Sequence, residues 1–191
     1  VREYGQAGVA AIHLEDQVAP KRCGQMAGIR LTDADENVRR LRCAIEARGR
    51  DEMLIIGRTD ALPAVGMDEA VRRAQLYQDA GVDLVFVDGI KTPAEVEAVA
   101  HRVKGPKVVS LVDGTPAAAL NVQELQSMGF SVVFYAVTAL FASVDAVSRA
   151  LTGLRSTGTT AGLQQGMASY ADFSAVVGLD FHKALDNRWG A

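Results

Sequence analysis

The sequence predicts an α/β protein with a parallel sheet, specifically a (β/α)8 TIM-type barrel lacking its first three β/α units. Three features point there. Short apolar runs rich in β-branched residues alternate with longer segments of helical period. Those runs are nearly continuous in apolar residues, the mark of parallel strands covered on both faces. A glycine-to-strand unit also recurs, in "AGVAAIHLED", "AGVDLVFVDG" and "MGFSVVFYAV".

Taken in order, "VREYGQAG" reads as the tail of a helix whose beginning is absent. Strands are expected at 9–15, 53–59, 84–88, 107–112 and 131–137. Between the first two, "TDADENVRRLRCAIEARG" opens with acids in its first turn and ends at Gly49, as helices do. Cys43 shares a stripe there with Val38, Leu41 and Ile45 and is expected in the core. "MDEAVRRAQLYQDAG" has the same acidic opening and closes at Gly81. In "TPAEVEAVAHRV", Thr92 is the N-cap, Pro93 the first helical residue and Glu95 the partner that completes a capping box. "TPAAALNVQELQSMG" repeats the Thr-Pro opening and is read as one helix. The last three strands begin about 24 residues apart, close to the smallest strand–helix repeat of a parallel sheet. Residues 1–155 are assigned to a partial barrel of about five such units. Residues 156–191 are assigned to a helical tail in which Tyr170 and Trp189 pack.

A doubly wound sheet shares this periodicity. No G-x-G-x-x-G follows any strand, which counts against a dinucleotide-binding sheet. A full barrel takes about 250 residues, so 191 residues hold about five of its eight units. Hydrophobic residues at 49% and charged residues at 23% are the proportions of a globular protein rather than a disordered one. A net charge of −3 with interspersed signs leaves no nucleic-acid footprint and no polybasic membrane patch. No apolar run approaches the ~20 residues of a membrane span, and no signal-peptide pattern opens the chain. Two cysteines do not make a disulfide framework, so a cytoplasmic protein is expected.

In a barrel, the active site lies at the C-terminal ends of the strands. The first strand ends in Glu15 and Asp16, followed by the loop Lys21-Arg22-Cys23-Gly24-Gln25. The second ends in Arg58, Thr59 and Asp60, the third in Asp88, and the fourth carries Ser110 and Asp113. Carboxylates converging on one cleft call for a cation, and hard oxygen ligands suit Mg²⁺, held directly or through water. The planar fork of Arg58 suits a substrate carboxylate; alternatively it bridges to Asp60 or Glu15 and fixes the barrel rim. Cys23, between cations and a glycine, is placed to pass a proton to or from carbon. It could instead act as a nucleophile or be an inert loop thiol. Asp88 and Asp113 each precede a glycine and could cap helices. His13 is expected to face the core or a neighbouring helix rather than a metal, and Lys91 the surface.

One pairing is more specific. "EDQVAPKRCGQ" is followed, 43 residues after its Glu, by the Arg of "GRTDA". This pair resembles the isocitrate lyase/phosphoenolpyruvate mutase superfamily, and within it the 2-methylisocitrate lyase branch, over residues 5–150. The resemblance implies a (β/α)8 barrel, usually in a tetramer whose last helix is swapped between subunits. It also implies Mg²⁺ and cleavage of a 2-hydroxy-tricarboxylate into a 2-oxo acid and a dicarboxylate. By that resemblance Cys23 is the acid/base, Lys21 and Arg58 bind substrate and steady enolate-like charge, and Gly24 gives the loop its close approach to ligand. Glu15 sits near Mg²⁺ mainly through water, the direct aspartate ligands belonging to the absent strands. Gln25, Asp88 and Ser110 are further substrate-binding positions. They depart from the pattern, standing where His, Glu and Asn are usual, and Asp113 replaces another Glu. These changes point away from the standard tricarboxylate but leave the metal and the 2-oxo acid half in place.

The resulting expectation is a Mg²⁺-dependent carbon–carbon lyase acting on a small 2-hydroxy di- or tricarboxylate, as a dimer or tetramer. The alternatives are an oxaloacetate decarboxylase or hydrolase on the same scaffold, and a non-catalytic partial barrel serving as an assembly module.

Overall fold

The apolar runs form five short strands, β1 (Ala11–Glu15), β2 (Leu54–Thr59), β3 (Leu84–Val87), β4 (Lys107–Leu111) and β5 (Val132–Tyr135). A computed structural model describes residues 1–190 of the chain. All five strands pair in parallel and in sequence order. The connecting helices lie on one side, so the sheet curls into part of a TIM-type barrel.

Because side chains alternate along a strand, the sheet has two distinct faces. On the convex face Val85, Val87, Val109 and Leu111 pack against Leu41, Tyr77, Val96, Val99 and Leu125 of the helices. On the concave face Ile56, Leu84, Phe86 and Val108 form a second cluster with Val132 and Phe134. His13 belongs to the concave face as well. Its ring lies edge-on to Phe86 at 6.0 Å and tilted towards Phe134 at 6.3 Å, and its side chain is exposed rather than set among the helices. Burial of part of the ring, and then Arg58, hold its pKa below the usual value. The same alternation sorts the strand ends. Glu15, Arg58, Asp88 and Ser110 share the parity of the concave face, whereas Asp16 and Thr59 turn towards the helices.

Unit 1, Val1–Thr138, contains helices α1 (Arg2–Gln6), α2 (Ala34–Arg48), α3 (Ala61–Val65), α4 (Met67–Ala80), α5 (Pro93–Arg102) and α6 (Val122–Ser127). Asp33 caps α2 by accepting from the Glu36 N–H at 3.0 Å. Gly81 ends α4 in the left-handed region, at φ 97°, which suits a residue without Cβ. Thr92 and Glu95 make the expected capping box on α5.

Two expectations fail here. Cys43 is exposed: α2 buries Ala34, Asn37, Leu41 and Ala44, and a residue two places after Leu41 lies about 200° round the helix from it. The segment after Thr115 is not one helix. A 3-10 turn at Pro116–Ala119 ends in an extended Leu120, and Asn121 starts α6 with its own capping box to Glu124. An Asn side chain that binds the backbone three residues on favours a new start over continuation.

Unit 2, Ala139–Ala191, comprises most of α7 (Thr138–Thr157) together with α8 (Tyr170–Val176) and α9 (Leu179–Trp189). Tyr170 and Trp189, expected to pack, are exposed. They are the first residue of α8 and the last of α9, where neighbours are fewest; the Arg188 guanidinium sits 4.9 Å from the Trp189 ring centre. No helix among the described residues is long and apolar enough to cross a membrane.

Asn121→Ala removes the box that starts α6. It is expected to lower unfolding stability by about 1 kcal/mol in urea titrations and to speed amide exchange at Glu124. Unchanged stability and exchange would show that the break at Leu120 has another cause.

Candidate active site

The end of β1 is held by Asp16, which is fully buried. Its Oδ2 accepts from the Tyr77 hydroxyl at 2.7 Å, the Thr59 hydroxyl at 2.7 Å and Arg73 Nη1 at 3.1 Å. Its Oδ1 accepts from the Asp60 N–H at 2.9 Å. A buried carboxylate is tolerated only when donors replace its water, and here four do. Burial first, and then Asp16, push the Tyr77 hydroxyl pKa well above its usual value, so it stays a donor. Arg73 also donates to the Thr32 carbonyl and to Glu69, which ties β1, β2 and α4 into one unit.

Across the sheet, Arg58 is the hub. It is 9% exposed, and it grips Asp60 bidentately, Nε to Oδ2 at 3.0 Å and Nη2 to Oδ1 at 2.7 Å. The same Nη2 donates to Asp88 Oδ2 at 2.5 Å and lies 3.5 Å from Glu15 Oε2. Its carbon sits 5.3 Å from the centre of the Phe86 ring. Lys21 Nζ reaches the same Glu15 oxygen at 3.2 Å. The guanidinium therefore makes the rim bridges to Asp60 and Glu15 that the sequence offers as the alternative to substrate binding, and adds one to Asp88. Burial raises the Asp88 pKa, opposed by Arg58. Neither Asp88 nor Asp113 caps a helix: α5 is capped by Thr92, Thr115 precedes the 3-10 turn, and Asp113 accepts from the Thr138 hydroxyl at 2.6 Å. Ser110 is buried and lies opposite Phe134 in the ladder.

The loop after β1 folds over this cluster. It is closed at its base by a bridge between Gln17 and Leu31 and by the Val18 N–H donating to the Arg30 carbonyl at 2.8 Å. Gly24 is buried, and a Cβ there would come within 2.1 Å of Asp88 Oδ2 and 3.0 Å of Asp60 Oδ1. Only a glycine fits so close to the acids. Cys23 precedes it and is exposed. Gln25 is half-buried, with no hydrogen-bond partner for its amide nitrogen. Lys21 and Gly24 thus touch the Arg58 cluster from either side of the thiol.

Among the described residues, no three His, Cys, Asp or Glu side chains form a metal-binding group. Asp60 and Asp88 are committed to Arg58, and Asp16 to its four donors. Glu15, with 21% side-chain exposure, can offer one arm to a cation through water. These residues fit the edge of a metal site rather than its centre.

The sequence places Asp16 at a strand end with no role and Asp60 only as a bridge partner of Arg58, and it gives no expectation for Arg73 or Tyr77. A signal was available. Glu69, Arg73 and Tyr77 recur every four residues on one stripe of α4, and that stripe also carries the buried Ala70 and Ala74. A cation on a buried stripe calls for a carboxylate nearby.

Residues 1–155 match the family described as phosphoenolpyruvate phosphomutase. The chain is 31% identical to the 2,3-dimethylmalate lyase of Eubacterium barkeri, over 99% of this chain and 65% of that protein. It is 34% identical to the 2-methylisocitrate lyase of Aeropyrum pernix, over 97% of this chain and 60% of that one. Among solved structures, it is similar to oxaloacetate acetylhydrolase in complex with 3,3-difluorooxalacetate, with TM-score 0.88, 30% identity and coverage of 100% and 64%. A phosphonopyruvate hydrolase complex with oxalate and Mg²⁺ is similar as well, with TM-score 0.83, 28% identity and coverage of 98% and 65%. The chain thus spans somewhat less than two thirds of these proteins.

Arg58→Ala leaves buried carboxylates unpaired and is expected to cost about 3–5 kcal/mol. The Asp88 pKa, already raised, should rise further. A carboxyl whose folded pKa exceeds its unfolded value weakens the fold as pH climbs through the interval between the two. The deficit in urea titrations should therefore be smaller at about pH 5 than at about pH 8. An equal deficit at both would mean that Arg58 does not hold the acids.

Proposed function

Because the chain belongs to the phosphoenolpyruvate phosphomutase family, we propose that it carries the thiol-loop part of a Mg²⁺-dependent carbon–carbon lyase site. The substrate class is a small 2-hydroxy di- or tricarboxylate, such as 2-methylisocitrate or a substituted malate. One observation carries the proposal above the others: the loop holding the exposed Cys23 is docked onto a buried Arg58–carboxylate hub, through Lys21 on one side and Gly24 on the other.

In the cleavage, the C2 hydroxyl gives up its proton to water, its oxygen forms the second bond of the 2-oxo carbonyl at C2, the bond between C2 and C3 breaks, and that bond's electron pair stays on C3. Cys23 delivers the proton that quenches C3. Lys21 and Arg58 supply the positive charge facing the substrate carboxylate and the enolate-like charge that develops beside it. Gly24 lets the backbone approach the ligand, while Gln25, Asp88 and Ser110 line the substrate side. Mg²⁺, when bound, would supply Lewis acidity to the 2-oxo acid half of the substrate, and Glu15 is the residue of this cluster that would hold it, through water. The similarity to 2,3-dimethylmalate and 2-methylisocitrate lyases supports this substrate class. The phosphonopyruvate hydrolase complex supports the metal. The free thiols accord with the reducing cytoplasm. Leu140, Phe141, Val144, Val147 and Leu151, exposed along α7, support a homo-oligomer.

A second reading is hydrolysis or decarboxylation of oxaloacetate, favoured by the similarity over the whole chain to oxaloacetate acetylhydrolase. Release of 2-oxo acid from 2-methylisocitrate, isocitrate and substituted malates, set against release of oxalate or of pyruvate from oxaloacetate, each with Mg²⁺, separates the two. Cys23→Ser is expected to lower kcat on a hydroxy acid by at least about 100-fold. Survival of turnover on oxaloacetate in that variant would favour decarboxylation. A folded protein with no turnover on any of them would favour a non-catalytic module.

A further inference from the structure

We propose that Gln17 is the positioning residue for Cys23, an inference that rests on the lyase reading and adds a residue to it. Gln17 is 7% exposed and follows the Asp16 anchor directly. Its carboxamide meets the backbone of Arg22 at two points: Nε2 donates to the Arg22 carbonyl at 2.8 Å, and the Arg22 N–H donates to Oε1 at 2.8 Å. One side chain thus satisfies both main-chain polar groups of the residue before the thiol. A primary amide can do this because it carries a donor and an acceptor on one carbon.

The backbone around Cys23 is therefore held on both sides. On the N-terminal side, Gln17 ties Arg22 to the Asp16 anchor. On the C-terminal side, Gly24 is seated on Asp60 and Asp88, and the Cys23 carbonyl accepts from the Met26 N–H at 2.9 Å. Arg22 adds a local tie by donating from Nη1 to the Ala27 carbonyl at 3.1 Å. The thiol itself remains exposed. An acid/base group must meet its carbon within hydrogen-bonding reach, and an exposed side chain can do so repeatably only from a fixed backbone. Asp16 is held by β2 and α4, so Gln17 relays the position of that anchor to the loop. The two partners lie five residues apart in sequence, yet the clamp needs no other part of the loop.

The test uses Gln17→Ala and Gln17→Glu in the protein carrying Cys43→Ser, so that Cys23 is the remaining thiol of this chain. Gln17→Ala removes both bonds. It should speed exchange of the Arg22 amide about tenfold or more, the yield of one lost hydrogen bond of typical size. On the hydroxy-acid substrate it should lower kcat about tenfold or more while moving KM little, because the loss falls on a group used in the transition state. Gln17→Glu keeps the acceptor for the Arg22 N–H but turns a second acceptor oxygen towards the Arg22 carbonyl. Protonating that carboxyl restores the donor, so its kcat relative to the parent should recover as pH falls. Gln17→Ala cannot recover in this way, and a general loss of packing would not do so. Arg22 exchange unchanged in Gln17→Ala, or a Gln17→Glu profile parallel to the parent, overturns the clamp. Full turnover in Cys23→Ser overturns the lyase reading instead, and the exchange experiment judges the clamp even then.

Discussion

A guanidinium surrounded by carboxylates at the ends of parallel strands is the constraint on which the rest depends. Strand alternation brings Glu15, Arg58 and Asp88 to one face, and none of the three could be buried there alone. Arg58 makes Asp60 and Asp88 tolerable, and they make it tolerable in turn. Behind them, Asp16 plays the same part with opposite sign. Its single charge is met by Arg73, Tyr77, Thr59 and a backbone N–H, so β1 and β2 are locked in register with α4 at the level where the site begins.

The loop that carries the thiol inherits this rigidity. It touches the hub through Lys21 and through Gly24, where a side chain would collide with Asp88. Its remaining ties are local, from the Gln17 carboxamide, from Arg22 and from the bridge to Leu31. An exposed, reactive group on a well-held backbone is what acid/base work at carbon demands. The same hub explains the limited appeal of these residues to a metal. Carboxylates already neutralised by arginine have little charge left to offer, and Glu15 alone stands towards the open side.

Legibility varied with the range of the interaction. Strands were readable because five buried parallel strands need continuous apolar runs, and those runs agree with the observed strands to within a residue or two. The strand-end residues were readable because a barrel delivers its strand ends to one place. Cys43 was misplaced since an apolar stripe three or four residues wide includes positions that the helix turns away from its sheet. Asn121 was overlooked because the Thr-Pro start before it gave a stronger helix signal, and its capping box competes only locally. His13 went to the concave face, which a parity count along β1 would have shown.

By itself the sequence determined the number and order of the strands, the parallel sheet, the family signature in "EDQVAPKRCGQ" and "GRTDA", and which strand ends carry charge. All of these follow from periodicity and from residue types close together along the chain. Only the tertiary structure decided which charges meet. Arg58 lies 30 residues from Asp88, and Asp16 lies 57 from Arg73 and 61 from Tyr77. Contacts over such separations are set by register and helix packing, which no local pattern encodes. The commitment of the acids to Arg58 became visible for that reason only in three dimensions, whereas the grip of Gln17 on the residue beside the thiol spans five residues and needed only the path of the loop.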